Sequence, residues 1–419
     1  MIHPRSFKKF GLLGSLYLSQ SIPFLFLYQA LPVILRQQGL SLAAIGLLPL
    51  IVLPITLKFL WSPLIDRYSF TSLGHYRFWI IFLQLLVAGV TAICSLLNVA
   101  TSLPLVLLGM MVIAMGCASQ DIATDALALG LLEPKERGLG NAIQTVGGSL
   151  GSMIGGGGML IFLSRWGWTA SLLILSVIML VTLIPVLLHR EKPRQTIIQS
   201  SENSSSKIIQ LRSYFKIFLH FCQRPGIKVW LLILLLYNFG YSLSITMFRP
   251  LLIDLGLSLA EVGWLLGILG TSMVIFGSLI ASLAIAQLGR KRSLLIASSL
   301  SATGILAYAL PTFGLTQLPV LYGIVGGTSL ALGMVVTTAF TIMMDKSRLE
   351  SAATDYAIQA SLNTMGSLPA AAISGVIANV TGYRGVFIIS ALVVFICVLL
   401  IAGYLSNSDV SKPSAVTAL

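Results

Sequence analysis

Runs of about 20 apolar residues recur about a dozen times along this chain, which leaves lipid as the solvent in which most of it can fold. The runs occupy 10–35, 41–64, 77–97, 103–131, 138–163 and 167–188. After a polar stretch come 228–253, 259–287, 293–311, 317–344, 351–379 and 384–405. Hydrophobic residues make up 56% of the 419 positions and charged residues 9%. A shell facing water cannot be built from that balance. The pattern predicts an all-α membrane protein with 12 transmembrane helices and no sizeable soluble domain.

The formal charge of +13 does not indicate nucleic acid, because the basic residues fall in short loops between apolar runs. One side collects Arg5, Lys8, Lys9, Arg67, Arg77, Lys135, Arg137, Arg290, Lys291, Arg292, Lys346 and Arg348, together with the basic residues of the 189–227 stretch. The other side has Arg36, Arg165 and Arg384. By the positive-inside rule both termini and the central stretch are cytoplasmic. The four cysteines are scattered without metal or disulfide spacing, so neither a metal nor a cofactor is expected. Trp61, Trp166, Trp168, Trp230 and Trp264 fall near span ends, as an interfacial belt requires.

An internal repeat organises the spans. GLSLAAIG at 39–46 returns as GLSLAEVG at 256–263, and NAIQTVGGSLG at 141–151 is echoed by YAIQASLNTMG at 356–366. Gln144 then aligns with Gln359 and Gly151 with Gly366, while RWGW at 165–168 falls opposite VTGY at 380–383 with its glycine kept. Both copies keep one polarity because six spans separate them. The reading is two pseudo-symmetric six-helix bundles, 1–190 and 226–406, with a Ser-rich cytoplasmic linker at 191–225 and a cytoplasmic tail at 407–419. Parallel halves of this kind build the major-facilitator fold, and they form a central cavity without a second subunit, so a monomer is expected to function.

Charges inside spans are costly and mark candidate sites. Lys58 lies 17 residues inward from Ser41 and Asp121 lies 18 inward from Leu103, so their depths agree at ~1.5 Å per residue. Asp125 is one turn deeper on the face of Asp121. Asp121, with Asp125, is either a proton-binding carboxylate governed by Lys58 or half of a permanent clamp. Arg249, near the outer end of span seven, either meets an anionic group of a solute or snorkels to headgroups. Pro23 and Pro32 are expected to break the first span, and Gly240 and Pro250 the seventh. Near those breaks Tyr17, Gln20, Tyr28 and Gln29 in one half, and Tyr237, Asn238 and Tyr241 in the other, suit a polar, partly planar solute or serve as interhelical glue. Asp66, Arg67 and Arg77 in one loop, and Asp345 and Asp355 in another, are candidate gate latches or plain orientation charges. GGSLGSMIGGGG at 147–158 lacks the GK[ST] ending of a phosphate loop and reads as close helix packing.

LKFLWSPLIDRY (57–68), ASQDIATDALA (118–128) and ERGLGNAIQ (136–144) resemble the AmpG-like permease group of the major facilitators. That group includes muropeptide permeases, acetyl-CoA transporters and siderophore importers. The resemblance implies proton-driven import across a bacterial inner membrane, with Lys58, Asp66, Asp121 and Asp125 on motif positions. Its partners would be a small-molecule solute, protons and membrane lipid. Muropeptide permeases tend to be longer and acetyl-CoA is highly anionic, so the comparison leans toward a compact siderophore importer. An organic-anion transporter or an exporter of the same fold stays open. A membrane enzyme is disfavoured because His3, His75, His189 and His220 sit at span edges without a Ser or Cys partner at suggestive spacing, and a receptor that no longer transports is a remote alternative.

Overall fold

The computed structural model describes residues 4–27, 53–68, 74–99, 101–189, 191, 219–257 and 259–404. Among them all regular structure is helical. Helix α1 is Pro4–Leu25, α2 Leu53–Leu57, α3 Ser62–Arg67, α4 His75–Ser95, α5 Leu103–Leu131, α6 Arg137–Ser152 and α7 Met159–Leu188. Then follow α8 Ile227–Asp254, α9 Leu259–Val262, α10 Thr271–Leu288, α11 Arg290–Ala307, α12 Leu318–Lys346, α13 Ala352–Met365 and α14 Ser367–Tyr404.

Nine described stretches are long and apolar enough to cross a bilayer. The last, Leu349–Gly403, is 55 residues long, about twice what one crossing needs, and it turns at Gly382, where φ is +69°. It therefore supplies two spans. The nine stretches thus give ten spans among the described residues, and α1 and the run at 41–64, described from Leu53 onward, stand where the sequence expects the first two. Gly167 makes the matching turn inside α7, with φ +74°. These are the glycines of RWGW and VTGY, and an L residue would be strained at either φ.

The residues fall into two compact units: Met1–Leu131, Leu150–Ile227 and Arg348–Ile358 in one, and Leu132–Ser149, Lys228–Ser347 and Gln359–Leu419 in the other. In the first, α4 packs on α5 and α7 around Ile22, Phe26, Val87, Met110, Ile113, Leu172 and Met179. A buried amide relay crosses this core: Gln120 Nε2 donates to Gln84 Oε1 at 3.1 Å, and Gln84 Nε2 donates to the Met179 carbonyl at 2.7 Å. In the second, Phe248 stacks on Tyr308 at 3.9 Å between ring centroids, and Phe387 meets both edge-on.

The glycine run of 147–158 does pack helices. A Cβ at Gly155 would collide with the Ile22 carbonyl of α1, and one at Gly151 with Ser21. At Gly366, the repeat mate of Gly151, an added Cβ would lie 2.7 Å from the Leu235 carbonyl oxygen of α8. Backbone contact at both positions expresses the duplication in three dimensions.

Two sequence expectations need correction. Helix α8 runs unbroken for 28 residues through Gly240 and Pro250, because a membrane helix makes up one lost amide bond locally. Helix α1 contains Pro23 and ends two residues beyond it at Leu25, and Pro32 lies outside the described residues. Trp230 is not interfacial: its indole is 1% exposed and donates to Gln359 Oε1 at 2.8 Å. The linker is outside the described residues apart from its two edges.

Candidate functional site

In the first unit three elements converge on a buried charge cluster. Tyr17 and Gln20, three residues apart on α1, present side chains along one face. Asp121 and Asp125 do the same on α5, and Lys58 opens a one-turn 3₁₀ segment between α2 and α3. Lys58 is 3% exposed and Asp125 2%. The Lys58 ammonium bonds Asp121 Oδ2 directly and lies 3.8 Å from Asp125 Oδ2. Gln20 Nε2 donates to the other Asp121 oxygen at 2.7 Å, and Tyr17 Oη donates to Asp125 Oδ1 at 3.2 Å.

One ammonium is thus shared by two carboxylates in a low-dielectric span, where unequal charge is expensive. Asp121 has a donor on each oxygen and a side chain 25% exposed, whereas Asp125 is enclosed. Gln20 Oε1 and Thr124 Oγ1, in the same region, are buried without a hydrogen-bond partner among the described residues. Trp61 Nε1 donates to Ser119 Oγ at 3.0 Å, which pins the KFLW segment to the helix bearing the aspartates.

Two further clusters sit at helix ends. In the first unit Asp66 accepts from the Thr354 amide at 2.8 Å, the Thr354 hydroxyl at 2.7 Å, the Ala353 amide at 3.2 Å and Tyr76 Oη at 2.8 Å. It serves the first turn of α13, whose free amides favour a carboxylate. Burial pushes the Asp66 carboxyl above the usual carboxylate range, and these hydrogen bonds pull it back only in part. Arg348 holds Asp355 with two charge-assisted bonds at 2.8 Å, and that partner raises the guanidinium further. In the second unit Asp345 receives Arg137 at 2.7 Å and Arg290 at 2.8 Å. Arg290 also reaches the Pro134 carbonyl at 2.6 Å.

Arg77 turns instead to the last carbonyls of α7, Val186 at 3.0 Å and Leu187 at 2.7 Å. Arg67 and Arg249 are exposed, and Tyr28 and Gln29 lie outside the described residues. Tyr237, Asn238 and Tyr241 line a cavity of about 520 Å³, open mouth included, whose walls all belong to the second unit.

Sequence reasoning missed the partners more than the residues. Arg137 and Arg290 were read as orientation charges, although the Asp345 carboxylate engages both. Gln20 was placed on a solute cavity, although its amide serves Asp121. The matching depths of Lys58 and Asp121 were legible; which way each helix face turns was not.

Two bundles' worth of apolar spans, a repeated helix turn at equivalent glycines and a charge cluster buried in lipid-spanning helices define a multi-pass membrane transporter rather than an enzyme. The chain belongs to the Major Facilitator Superfamily, whose family model matches residues 13–371. It is 28% identical over 355 residues to the anhydromuropeptide permease of Escherichia coli (strain K12), covering 84% of this chain and 71% of that one. Its fold is similar to the proton:xylose symporter XylE, with TM-score 0.71, 13% identity and 96% of each chain covered. It is also similar to the transporter FucP in its outward conformation, with TM-score 0.69, 16% identity, and 95% of this chain and 98% of that one covered. The chain is therefore a carrier of small-molecule solutes.

Proposed function

We propose that this transporter imports a polar solute of the muropeptide class across a bacterial inner membrane, driven by protons that Asp121 and Asp125 bind. The observation that carries the coupling is the shared ammonium: Lys58 balances one carboxylate, and the second accommodates a proton without leaving net charge in the span. Gln20 and Tyr17 hold the two carboxylates in place while Lys58 moves between them. The similarity to an anhydromuropeptide permease over most of the chain supports the solute class.

The two six-helix halves, 1–190 and 226–406, act as the rocking bodies of alternating access, in a monomer with both termini cytoplasmic. Asp66 on the α13 N-terminus, Arg348 with Asp355, and Asp345 with its two arginines serve as helix-end latches that release during the cycle. Arg67 and Arg77 contribute inside-facing charge. Tyr28, Gln29 and Arg249 remain candidates for solute contact.

A second reading, import of a siderophore-type compound, is supported by the second-unit cavity, where none of the described lining residues is charged. Uptake of labelled anhydromuropeptide into proteoliposomes under an imposed pH gradient tests the first reading. Accumulation that collapses with a protonophore supports it. Accumulation of ferric siderophore in its place moves the solute assignment and leaves the coupling intact.

A further inference from the structure

Gln20 uses only one of its two polar ends. Its Nε2 donates to Asp121 Oδ1 at 2.7 Å, while its Oε1 is buried with no hydrogen-bond partner among the described residues. A carboxamide pairs a donor end with an acceptor end of nearly the same size. An ionised carboxylate only accepts, so it dictates which end faces it. The charge on Asp121 therefore leaves the Gln20 oxygen orphaned, and a buried acceptor without a bond destabilises the arrangement that holds it.

A proton on Asp121 reverses that demand. Among the described residues Asp121 is held by the Lys58 ammonium at Oδ2 and by Gln20 at Oδ1. The ammonium has only hydrogens to offer, so Oδ1 is the oxygen left to take a proton. The Asp121 side chain is 25% exposed, which gives that proton a way in. The other titratable groups around it are Asp125, Tyr17 on α1 and Cys117 one turn back on α5, and none of these bonds Oδ1. The O–H formed at Oδ1 faces Gln20 as a donor and needs an acceptor. Lys58 keeps its proton and Asp125 stays ionised, so the three groups pass from one net negative charge to none.

We infer that the Gln20 carboxamide turns over with the protonation state of Asp121, donating through Nε2 to the ionised carboxylate and accepting through Oε1 from the protonated one. This rests on the reading of Asp121 as a proton site and names the positioning residue that answers the proton. The half-turn carries Nε2 to the side now held by Oε1. Thr124, three residues beyond Asp121 on the same flank of α5, has a buried hydroxyl without a partner among the described residues and supplies an acceptor in that region. Gln20 belongs to α1 and Asp121 to α5, so the exchange keeps these two helices tied in both protonation states.

The test is infrared difference spectroscopy, acidic minus neutral, on the full chain in lipid nanodiscs. The wild type is expected to show a protonated-carboxyl carbonyl band that Asp121→Asn removes. In protein carrying carbon-13-labelled glutamine, a carboxamide band is expected to shift with pH and to lose that shift in Asp121→Asn. Gln20→Met keeps the length of the side chain without its amide. It is expected to abolish the carboxamide shift and to move the Asp121 carbonyl band to higher wavenumber, because the O–H has lost its acceptor. The pH midpoint of the Asp121 band separates a turning amide from a fixed one. Deleting a fixed donor to a charged oxygen raises that midpoint by about one to two pH units, whereas deleting a group that serves both states leaves it nearly in place. A carboxamide silent to pH in the wild type overturns the inference, and that measurement stands even where Gln20→Met fails to fold. A midpoint raised by a full unit or more, or a carbonyl band left unmoved in Gln20→Met, overturns it as well. Loss of the carbonyl band from the wild type itself overturns the proton reading and this inference with it, so the two failures are told apart.

Discussion

Replacing Lys58 with Met removes the ammonium that faces two carboxylates while keeping much of the side-chain volume. Lys58 is 3% exposed and sits 3.8 Å from the more distant carboxylate, Asp125. At an effective dielectric of about 20, unit charges at that separation interact by ~4 kcal/mol. Breaking one partner of a buried pair costs about 3–5 kcal/mol, because the other charge is left without compensation. Lys58→Met is therefore expected to lower the thermal unfolding midpoint of the purified protein markedly and to abolish accumulation. Adding Asp121→Asn removes one of the two stranded carboxylates and leaves Asp125, so the Lys58→Met/Asp121→Asn double variant is expected to recover only part of the lost stability. It is not expected to recover accumulation, because the ammonium and one of the two proton-binding carboxylates are gone. Melting curves and uptake on the same preparations separate the two outcomes. A double variant that transports like the wild type would refute the coupling role and leave Lys58 and Asp121 as a clamp.

Gly155→Val drives a side chain into the Ile22 carbonyl, a backbone atom that cannot rotate away, and is expected to cut the yield of folded protein in membranes by more than Gly263→Val, where a Cβ meets nothing within 4 Å. Asp345→Asn leaves Arg137 and Arg290 facing each other across a neutral amide; its loss of thermal stability is expected to exceed that of Arg137→Gln or Arg290→Gln, each of which leaves one ion pair in place. Asp66 has a carboxyl raised by burial, so its folded form holds a proton more tightly than its unfolded form. The stability it adds is complete below the ordinary aspartate range and is lost as pH rises through the shifted value. The unfolding midpoint of the wild type minus that of Asp66→Asn is thus expected to fall between acidic and neutral pH, and a difference that rises would contradict the burial argument.

The spans, the duplication and the depth match of Lys58 with Asp121 were legible because they depend on distance along a helix, which sequence spacing measures directly. Gly167 and Gly382 were legible as a repeated pair, and their shared positive φ gives the pair a physical reason. Partner choice was not legible. Helices such as α5 and α12 are apolar on nearly every face, so no stripe in the sequence says which face turns inward. That is why Gln20 was not assigned to Asp121, nor Tyr17 to Asp125. Asp345 finds an arginine 208 residues away on α6 and another 55 residues away on α11, a choice made by packing of helix ends. Gly240 and Pro250 misled because both residues break helices in water, whereas in α8 a Cβ added at Gly240 would come within 3.1 Å of the Ser390 carbonyl oxygen, so the glycine serves close helix packing.

Solute-dependent proton movement tests the coupling role of Lys58, Asp121 and Asp125 most directly. Proteoliposomes loaded with a pH-sensitive dye are given anhydromuropeptide outside, without an imposed gradient. Internal acidification that follows solute addition, and that is lost in Asp121→Asn and in Asp125→Asn, is the predicted result. Solute entry without acidification, or acidification that survives both substitutions, would contradict it.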